Sequence, residues 1–332
     1  MMKRVAINGF GRIGRAFFRI AASYGDLEVV AINDVALKSD QAAYLLQYDS
    51  VYRRFESEVG YDDKSLIIGD KRINLLAERD PAALPWKESE IDVVIESTGI
   101  FRTAEKAGMH LEAGAKKVII SAPAKGAVPT FVFGVNHEKY DAERDNVISA
   151  ASCTTNCLSP IAKILNDEFG IEKALMTTVH AYTADQRLVD TGHPEEWARG
   201  RGAAQNIVPT TTGAAVAVAL VLPELKGKLD GMALRVPTAT GSVTDLSAVL
   251  EKSVTVEEVN DALRKYATGS MQSILKVSEV PLVSSDCVGD PSSAIVNLPS
   301  TSVLADNFVK VLAYYDNEWG YTNRLVDLTS YV

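Results

Sequence analysis

Several things that would settle the class of a protein at once are scarce in this sequence. It has 3 cysteines in 332 residues, too few for a disulfide framework and suited to a reducing compartment. Aromatic residues make up 7 % and charged residues 23 %, yet hydrophobic residues reach 47 %, which excludes a disordered chain. Basic blocks are missing as well. Lys and Arg number 34 against 43 Asp and Glu, a formal charge of −9, so a dedicated nucleic-acid or anionic-membrane partner is not expected. The longest uncharged stretch, Gly202 to Pro223, contains Gln205, Asn206 and Pro209, and its continuous apolar part is only Ala214 to Leu222. That falls short of the ~18 apolar residues of a membrane span. Met1-Met2-Lys3-Arg4 runs straight into Val5-Ala6-Ile7 without an apolar signal region, so a cytoplasmic location is expected.

What is present points to two domains, since 332 residues exceed the roughly 100–200 of one ordinary core. In the first half, short apolar runs (Val5 to Ile7, Val29 to Ile32, Val93 to Ile95, Val118 to Ile120) alternate with helix-like stretches such as Gly14 to Tyr24 and Thr103 to Ala113. Strands buried on both faces and separated by helices predict a Rossmann-type, doubly wound parallel α/β sheet. Residues 52–75 alternate differently and read as antiparallel hairpins at an edge. After about residue 150 the pattern changes: a helix from Ser152 to Asp167, a strand from Met176 to Tyr182, and a long polar stretch from Leu188 to Gln205 without periodicity. A helix from Gly213 to Leu222 and strands near Val243 to Leu250 and Val309 to Tyr315 follow. This predicts an α+β second domain with a mixed, largely antiparallel sheet. The expected boundaries are 1–151 and 152–316, with a last helix from about 317 to 332.

Four groups of residues carry chemistry. Gly9-Phe10-Gly11-Arg12-Ile13-Gly14 follows a strand and opens a helix, as a turn that cradles a pyrophosphate must. Asp34 closes the second strand twenty residues beyond Gly14, where a carboxylate binds the ribose hydroxyls of NAD and repels the 2′-phosphate of NADP. Ser152-Cys153-Thr154-Thr155-Asn156-Cys157 begins a helix, with Ser152 as its cap. A cysteine in that first turn faces the positive helix end, which lowers its pKa and favours a nucleophile. Cys157 and Cys287 read as buried apolar residues, and a Cys-x₃-Cys zinc pair lacks a nearby histidine or third cysteine, so no metal is expected. Of the 4 histidines, His110 and His137 read as surface or structural and His193 as solvated, whereas His180 ends a strand and is the candidate base. Thr183, Arg201, Thr210-Thr211-Thr212-Gly213 and Arg235 form a set of anion binders, pointing to a phosphorylated substrate.

Three segments, Val5 to Arg15, Ala151 to Cys157 and Tyr315-Asp316-Asn317-Glu318-Trp319-Gly320-Tyr321, together with Arg235-Val236-Pro237-Thr238, resemble glyceraldehyde-3-phosphate dehydrogenase. The resemblance runs in order along nearly the whole chain. It implies Cys153 as nucleophile and His180 as its base. It also implies Arg12, Ile13, Asp34, Arg79, Thr98, Ser121 and Asn317 along the cofactor, and Thr183 and Arg235 on the substrate C3-phosphate. Ser152, Thr154, Arg201, Thr212 and Gly213 fall in the region of attacking inorganic phosphate. The stretch from about Thr183 to Gln205 corresponds to a loop that lines a neighbouring subunit's cofactor site, which implies a homotetramer, and the last helix is expected to return to the first domain. Three positions depart from the family pattern. Ala150 replaces an asparagine and Val216 a lysine. Thr191-Gly192 replaces a Leu-Pro pair that packs on the adenosine, so NAD is the expected cofactor with NADP as a secondary one. Rival expectations are erythrose-4-phosphate dehydrogenase and a non-catalytic NAD-binding scaffold.

Overall fold

A computed structural model describes residues 2–332. The chain divides into two compact units. One runs up to Phe131 and takes in His137–Ala151 and Thr322–Val332; the other comprises Val132–Asn136 and Ser152–Tyr321.

The first unit is built on strands β1 (Lys3–Asn8), β2 (Leu27–Asn33), β3 (Val59–Asp62), β4 (Ser65–Ile68), β5 (Lys71–Leu76), β6 (Val93–Glu96), β7 (Lys117–Ile120) and β8 (Val147–Ser149). They form one sheet in the order β8-β7-β6-β1-β2-β5-β4-β3. Pairing is parallel from β8 across to β5 and antiparallel only for β3, β4 and β5 among themselves. The apolar runs thus form the parallel strands expected of them, and the alternating segment supplies the edge hairpins. Val5, Ala6 and Ile7 are all fully buried, because a central parallel strand is covered on both faces. Helices α1 (Arg12–Ala21), α2 (Ser39–Gln47) and α3 (Ala104–Glu112, capped by the Thr103 hydroxyl) connect strands of this sheet. One face packs Ala6, Trp86, Val94, Ala107 and Val118 into a common core. The order of strands reverses at β1, and in open α/β sheets the carboxyl end of such a strand is where ligands bind.

The second unit carries β9 (Ile171–Ala181), β10 (Val208–Thr211), β11 (Leu229–Val236), β12 (Ser242–Leu250), β13 (Leu275–Ser278), β14 (Ala294–Asn297), β15 (Ser302–Leu304) and β16 (Phe308–Tyr315). Its sheet runs β10-β11-β9-β12-β16-β14-β13, with β15 beside β16. Most pairs are antiparallel, but β9–β11 and β13–β14 are parallel. The sheet is therefore mixed, as expected. Its alternation is strict in β12, where every second residue from Ser242 to Leu250 is buried. Helix α4 (Cys153–Phe169) and helices α5 (Ala214–Val221) and α6 (Val256–Thr268) belong to this unit. On the opposite face Leu175, Met232 and Phe308 are exposed, an apolar surface unusual for a finished monomer. The last helix, α7 (Trp319–Tyr331), begins in the second unit and passes at Thr322 into the first. There Tyr24 donates to Asp327 at 2.9 Å and Lys3 Nζ donates to the Ser330 carbonyl at 2.6 Å. No helix of the described residues is long and apolar enough to cross a membrane.

Candidate active site

In the first unit the glycine turn follows β1 directly. Gly9 has φ +97°, and a Cβ there would lie 2.7 Å from the Thr98 nitrogen, so only glycine fits. A Cβ on Gly14 would overlap the Gly9 carbonyl, while one on Gly11 would meet nothing within 4 Å. Two glycines thus close the strand–helix junction, and the third leaves open space at the amino end of α1, where first-turn N–H groups have no intrahelical acceptor. Asp34 braces the turn. Its Oδ2 accepts from the Phe10 N–H and its Oδ1 from the Ala36 N–H, both at 2.8 Å. The carboxylate is only half-buried and keeps lone pairs for hydroxyl donors. Arg12 pairs with Asp49 and lies 5.5 Å over the Tyr52 ring.

Thr98 donates its hydroxyl and, at 2.8 Å, its N–H to Glu96 Oε1. Glu96 is itself buried beside Asn8 and His110. His110 is fully buried and accepts at Nδ1 from Trp86 Nε1 at 2.9 Å, a structural role rather than a surface one. Ser121 donates its N–H to the Glu96 carbonyl at 2.9 Å and is half-buried, whereas Arg79 is exposed.

In the second unit the chain enters α4 through Ser152, whose Oγ accepts from the Thr155 N–H at 3.1 Å. Such a cap is worth about 1 kcal/mol. Just before it, Ala151 holds φ +58°, a strained conformation for a residue with a Cβ and one found where function fixes the backbone. Cys153 therefore occupies the first helical position. Its Sγ lies 3.4 Å from His180 Nε2, near the end of β9. Burial pushes the Cys153 thiol up, opposed by the Arg235 charge, by the Thr154 hydroxyl and by helix-terminal N–H groups. The helix end alone would lower this pKa, but burial outweighs the dipole and the net push on the thiol is upward. Burial and the Arg235 charge together push His180 down to about 3, so its imidazole is neutral near pH 7.

The neutral His180 has a consequence for stability. An unfolded chain's histidine takes a proton near pH 6.5, whereas folded His180 stays neutral down to about 3. The unfolded state binds more protons between those values, so stability is lost as pH falls through that window. Unfolding midpoints in urea are expected to drop from pH 6.5 downward, and less steeply in His180→Gln. Equal slopes in the two proteins would contradict this.

Tyr315 ties nucleophile and base together, and sequence reading missed that role. Its buried hydroxyl lies 2.9 Å from Thr154 Oγ1 and 2.9 Å from Thr178 Oγ1, and its ring meets His180 edge-on with centroids 6.0 Å apart. It joins the first turn of α4 to the strand carrying His180. Tyr315→Phe is expected to cost about 1–3 kcal/mol of stability and to lower kcat more than it raises KM. An unchanged kcat would remove Tyr315 from the positioning of the pair. The same contacts bury the Thr154 hydroxyl against Tyr315.

The expected anion binders divide. Arg235 Nη1 reaches Thr183 Oγ1 at 3.3 Å, and Arg235 Nε is buried with no hydrogen-bond partner, so this pair has donor capacity to offer. Thr212 Oγ1 accepts from the Ala214 N–H at 3.2 Å, and the exposed Gly213 is the N-cap residue just before α5. Arg201 is not brought to this group: its side chain is 63 % exposed and pairs with Asp190. The turn at Trp197–Gly200 delivers Arg199 instead, 13 % exposed and paired with Asp185 and Glu196. Asp185 in turn accepts from the Thr183 hydroxyl. Asn317 is buried and accepts from Ser242 Oγ at 2.9 Å. His193 Nδ1 accepts from the Glu195 and Glu196 N–H groups within the loop, and His137 packs 5.1 Å from the Tyr331 ring. Cys157 and Cys287 are buried, and no group of potential metal ligands occurs among the described residues.

Comparison with known proteins agrees with this geometry. Residues 3–104 match the family model described as glyceraldehyde 3-phosphate dehydrogenase, NAD binding domain, and residues 152–317 match the model for the C-terminal domain of that enzyme. The chain is 55 % identical over 332 residues to the glyceraldehyde-3-phosphate dehydrogenase of Geobacillus stearothermophilus, covering 100 % of this chain and 98 % of the relative. It is 54 % identical to that of Priestia megaterium, with the same coverage. The glyceraldehyde-3-phosphate dehydrogenase of Cryphonectria parasitica is 51 % identical over 332 residues, again with 100 % and 98 % covered. The chain belongs to the glyceraldehyde-3-phosphate dehydrogenase family.

Proposed function

We propose that this protein oxidises glyceraldehyde 3-phosphate with NAD and inorganic phosphate to 1,3-bisphosphoglycerate through a thioester on Cys153. The observation that carries the reading is the 3.4 Å approach of Cys153 Sγ to His180 Nε2 at a helix N-terminus, with Arg235 and Thr183 beside it. The residues of the first unit suit a dinucleotide: an open glycine turn at a helix end, and Asp34 with acceptor capacity left over. Gly9, Gly11, Arg12, Ile13, Gly14 and Asp34 would hold NAD, with Arg79, Thr98, Ser121 and Asn317 further along it. The first unit is accordingly the cofactor domain and the second the catalytic one. When bound, NAD supplies the acceptor for the hydride that the oxidation releases.

The chain's own residues do the remaining chemistry. His180 Nε2 takes the thiol proton as Cys153 Sγ attacks the aldehyde carbon. It returns that proton to the new oxyanion, which the Cys153 N–H also stabilises. The resulting hemithioacetal hydroxyl gives its proton back to Nε2 as the C–H electron pair departs, leaving a thioester. Phosphate then attacks the thioester carbon and sheds its own proton to solvent, the C–S bond breaks, and Sγ recovers the proton held at His180 Nε2. Thr183 and Arg235 fix the substrate's own phosphate. Ser152, Thr212, Gly213 and Arg199 suit the attacking phosphate better than Thr154 or Arg201 does.

We further infer a homotetramer in the cytoplasm. The uncovered sheet face with Leu175, Met232 and Phe308, and the loop exposing Leu188, Val189, Trp197 and Ile207, support burial between copies of this chain. Three free cysteines suit a reducing compartment. Asp34 favours NAD over NADP, while the exposed Thr191-Gly192 pair removes bulk from the loop. NAD is expected to exceed NADP in kcat/KM by about 10- to 100-fold, equal to ~1.4–2.7 kcal/mol, with NADP still measurable. A preference for NADP would overturn the assignment of Asp34. Steady-state NADH formation from glyceraldehyde 3-phosphate, with and without inorganic phosphate, tests the whole reading. Turnover should require phosphate; phosphate-independent turnover would favour hydrolysis of the acyl enzyme, as in an erythrose-4-phosphate dehydrogenase.

A further inference from the structure

Two neighbours of His180 Nδ1 demand opposite things of it. The Ala181 carbonyl oxygen, 2.7 Å away, can only accept, so that contact requires a proton on Nδ1. Arg235 Nη1, 3.0 Å away, can only donate, so it requires a lone pair on the same atom. With the proton on Nδ1, Nε2 presents its lone pair to Cys153 and can act as base. The two Nη1 hydrogens then have the Ala181 carbonyl at 3.2 Å and Thr183 Oγ1 at 3.3 Å. With Arg235 donating to Nδ1, the proton sits on Nε2 and no basic lone pair faces the thiol.

Arg235 works against the base in either arrangement. In the second the wrong tautomer results. In the first, each proton taken at Nε2 creates an imidazolium whose Nδ1–H lies 3.0 Å from a guanidinium nitrogen, an approach of like charges. The other groups around His180 do not offset this. Cys153 on α4 is the proton donor, and Tyr315 on β16 is a neutral ring. Asp185 and Arg199, in the loop after β9, act on His180 with opposite signs and pair with each other. The guanidinium meanwhile has a buried Nε without a partner.

We propose that Arg235 restrains His180 in the free enzyme and that a dianionic phosphate monoester end, bound by Arg235 and Thr183, releases it. The substrate's phosphate thereby switches on the base that acts at its aldehyde end. The proposal rests on the reading that Thr183 and Arg235 take the substrate's own phosphate. In the step concerned, the hemithioacetal O–H proton passes to His180 Nε2, the C–H pair leaves as hydride to NAD, and the C=O of the thioester forms. Anion binding makes room for that proton by neutralising Arg235 and drawing it from Nδ1. Binding energy from a remote part of the substrate then appears in the chemical step rather than in affinity alone.

The test is a pre-steady-state burst of NADH from the NAD-loaded enzyme without inorganic phosphate. It uses saturating glyceraldehyde, which lacks the phosphate, with and without phosphite dianion. Phosphite is expected to raise the burst rate constant about 10-fold or more and to move the acid limb of its pH profile to higher pH. In Arg235→Gln the limb should already lie at the higher pH and phosphite should do nothing, whereas Arg235→Lys should keep the limb low. A phosphite effect on glyceraldehyde half-saturation only, or none, would overturn the proposal. So would a response that survives in Arg235→Gln, since phosphite would then be acting at another anion site. A burst with glyceraldehyde 3-phosphate itself, run alongside, separates the two readings: its absence would sink the proposed function, and its presence without a phosphite response would sink only the restraint.

Discussion

Cys153→Ala is expected to lower kcat by at least ~10⁴-fold while leaving the dissociation constant for NAD within a few-fold of the parent. The two halves of that result come from different units. Everything proposed to hold the dinucleotide, apart from Asn317, lies in the unit built on the parallel sheet, and Cys153 lies in the other. Alanine is a good helix former, and Ser152 still caps α4, so the helix should survive. Isothermal titration with NAD and an NADH absorbance assay read the two quantities independently. Residual turnover within tenfold of the parent would mean that the oxidation does not pass through a thioester at this residue.

The second large effect belongs to His180. His180→Gln removes the imidazole that lies within hydrogen-bond reach of Cys153 Sγ, and kcat should fall by about 10²–10⁴-fold, the range of general acid–base catalysis. Glutamine can still hydrogen-bond but cannot take a proton near neutral pH, so the loss should fall on the hydride-releasing step more than on substrate binding. Single-turnover traces and steady-state kinetics separate them: the burst rate should slow, with KM little changed. If KM rose while the burst rate stayed constant, His180 would be a binding group and the base would have to lie elsewhere.

Much of this arrangement was legible from the residues because its signals are local. Val5 to Ile7 and Val118 to Ile120 are buried runs of β-branched and small residues, and they form parallel strands. Ser152 caps a helix from the position its side chain suits. Asp34 reaches the glycine turn because β2 lies beside β1 in register, Asn33 against Asn8. Other features depend on long-range geometry. Arg199 and Arg201 are two residues apart and chemically alike, yet the short turn at Trp197–Gly200 sends one toward Asp185 and the other toward Asp190. Tyr315 joins Thr154 to Thr178 only once β16 has paired with β12 and β12 with β9. Helix α6, by contrast, announces itself through the capping box Thr255 and Glu258, a local signal.

Electrostatics shows the same limit. The dipole at the head of α4 can be anticipated from sequence and favours a thiolate. How deeply Cys153 would be buried, and that Arg235 would stand 3.0 Å from the far nitrogen of its base, depend on the packed sheet. Burial pushes the thiol up and the imidazole down. The proton therefore rests on Cys153 Sγ, and the neutral imidazole of His180 is left to accept it as the thiol attacks.

The most direct measurement is the intact mass of the protein after mixing with NAD and glyceraldehyde 3-phosphate in the absence of inorganic phosphate. A single acyl adduct per chain is expected, located on Cys153 by peptide mapping and discharged when phosphate is added. An NADH burst with no adduct on Cys153, or an adduct that phosphate does not discharge, would contradict the thioester route.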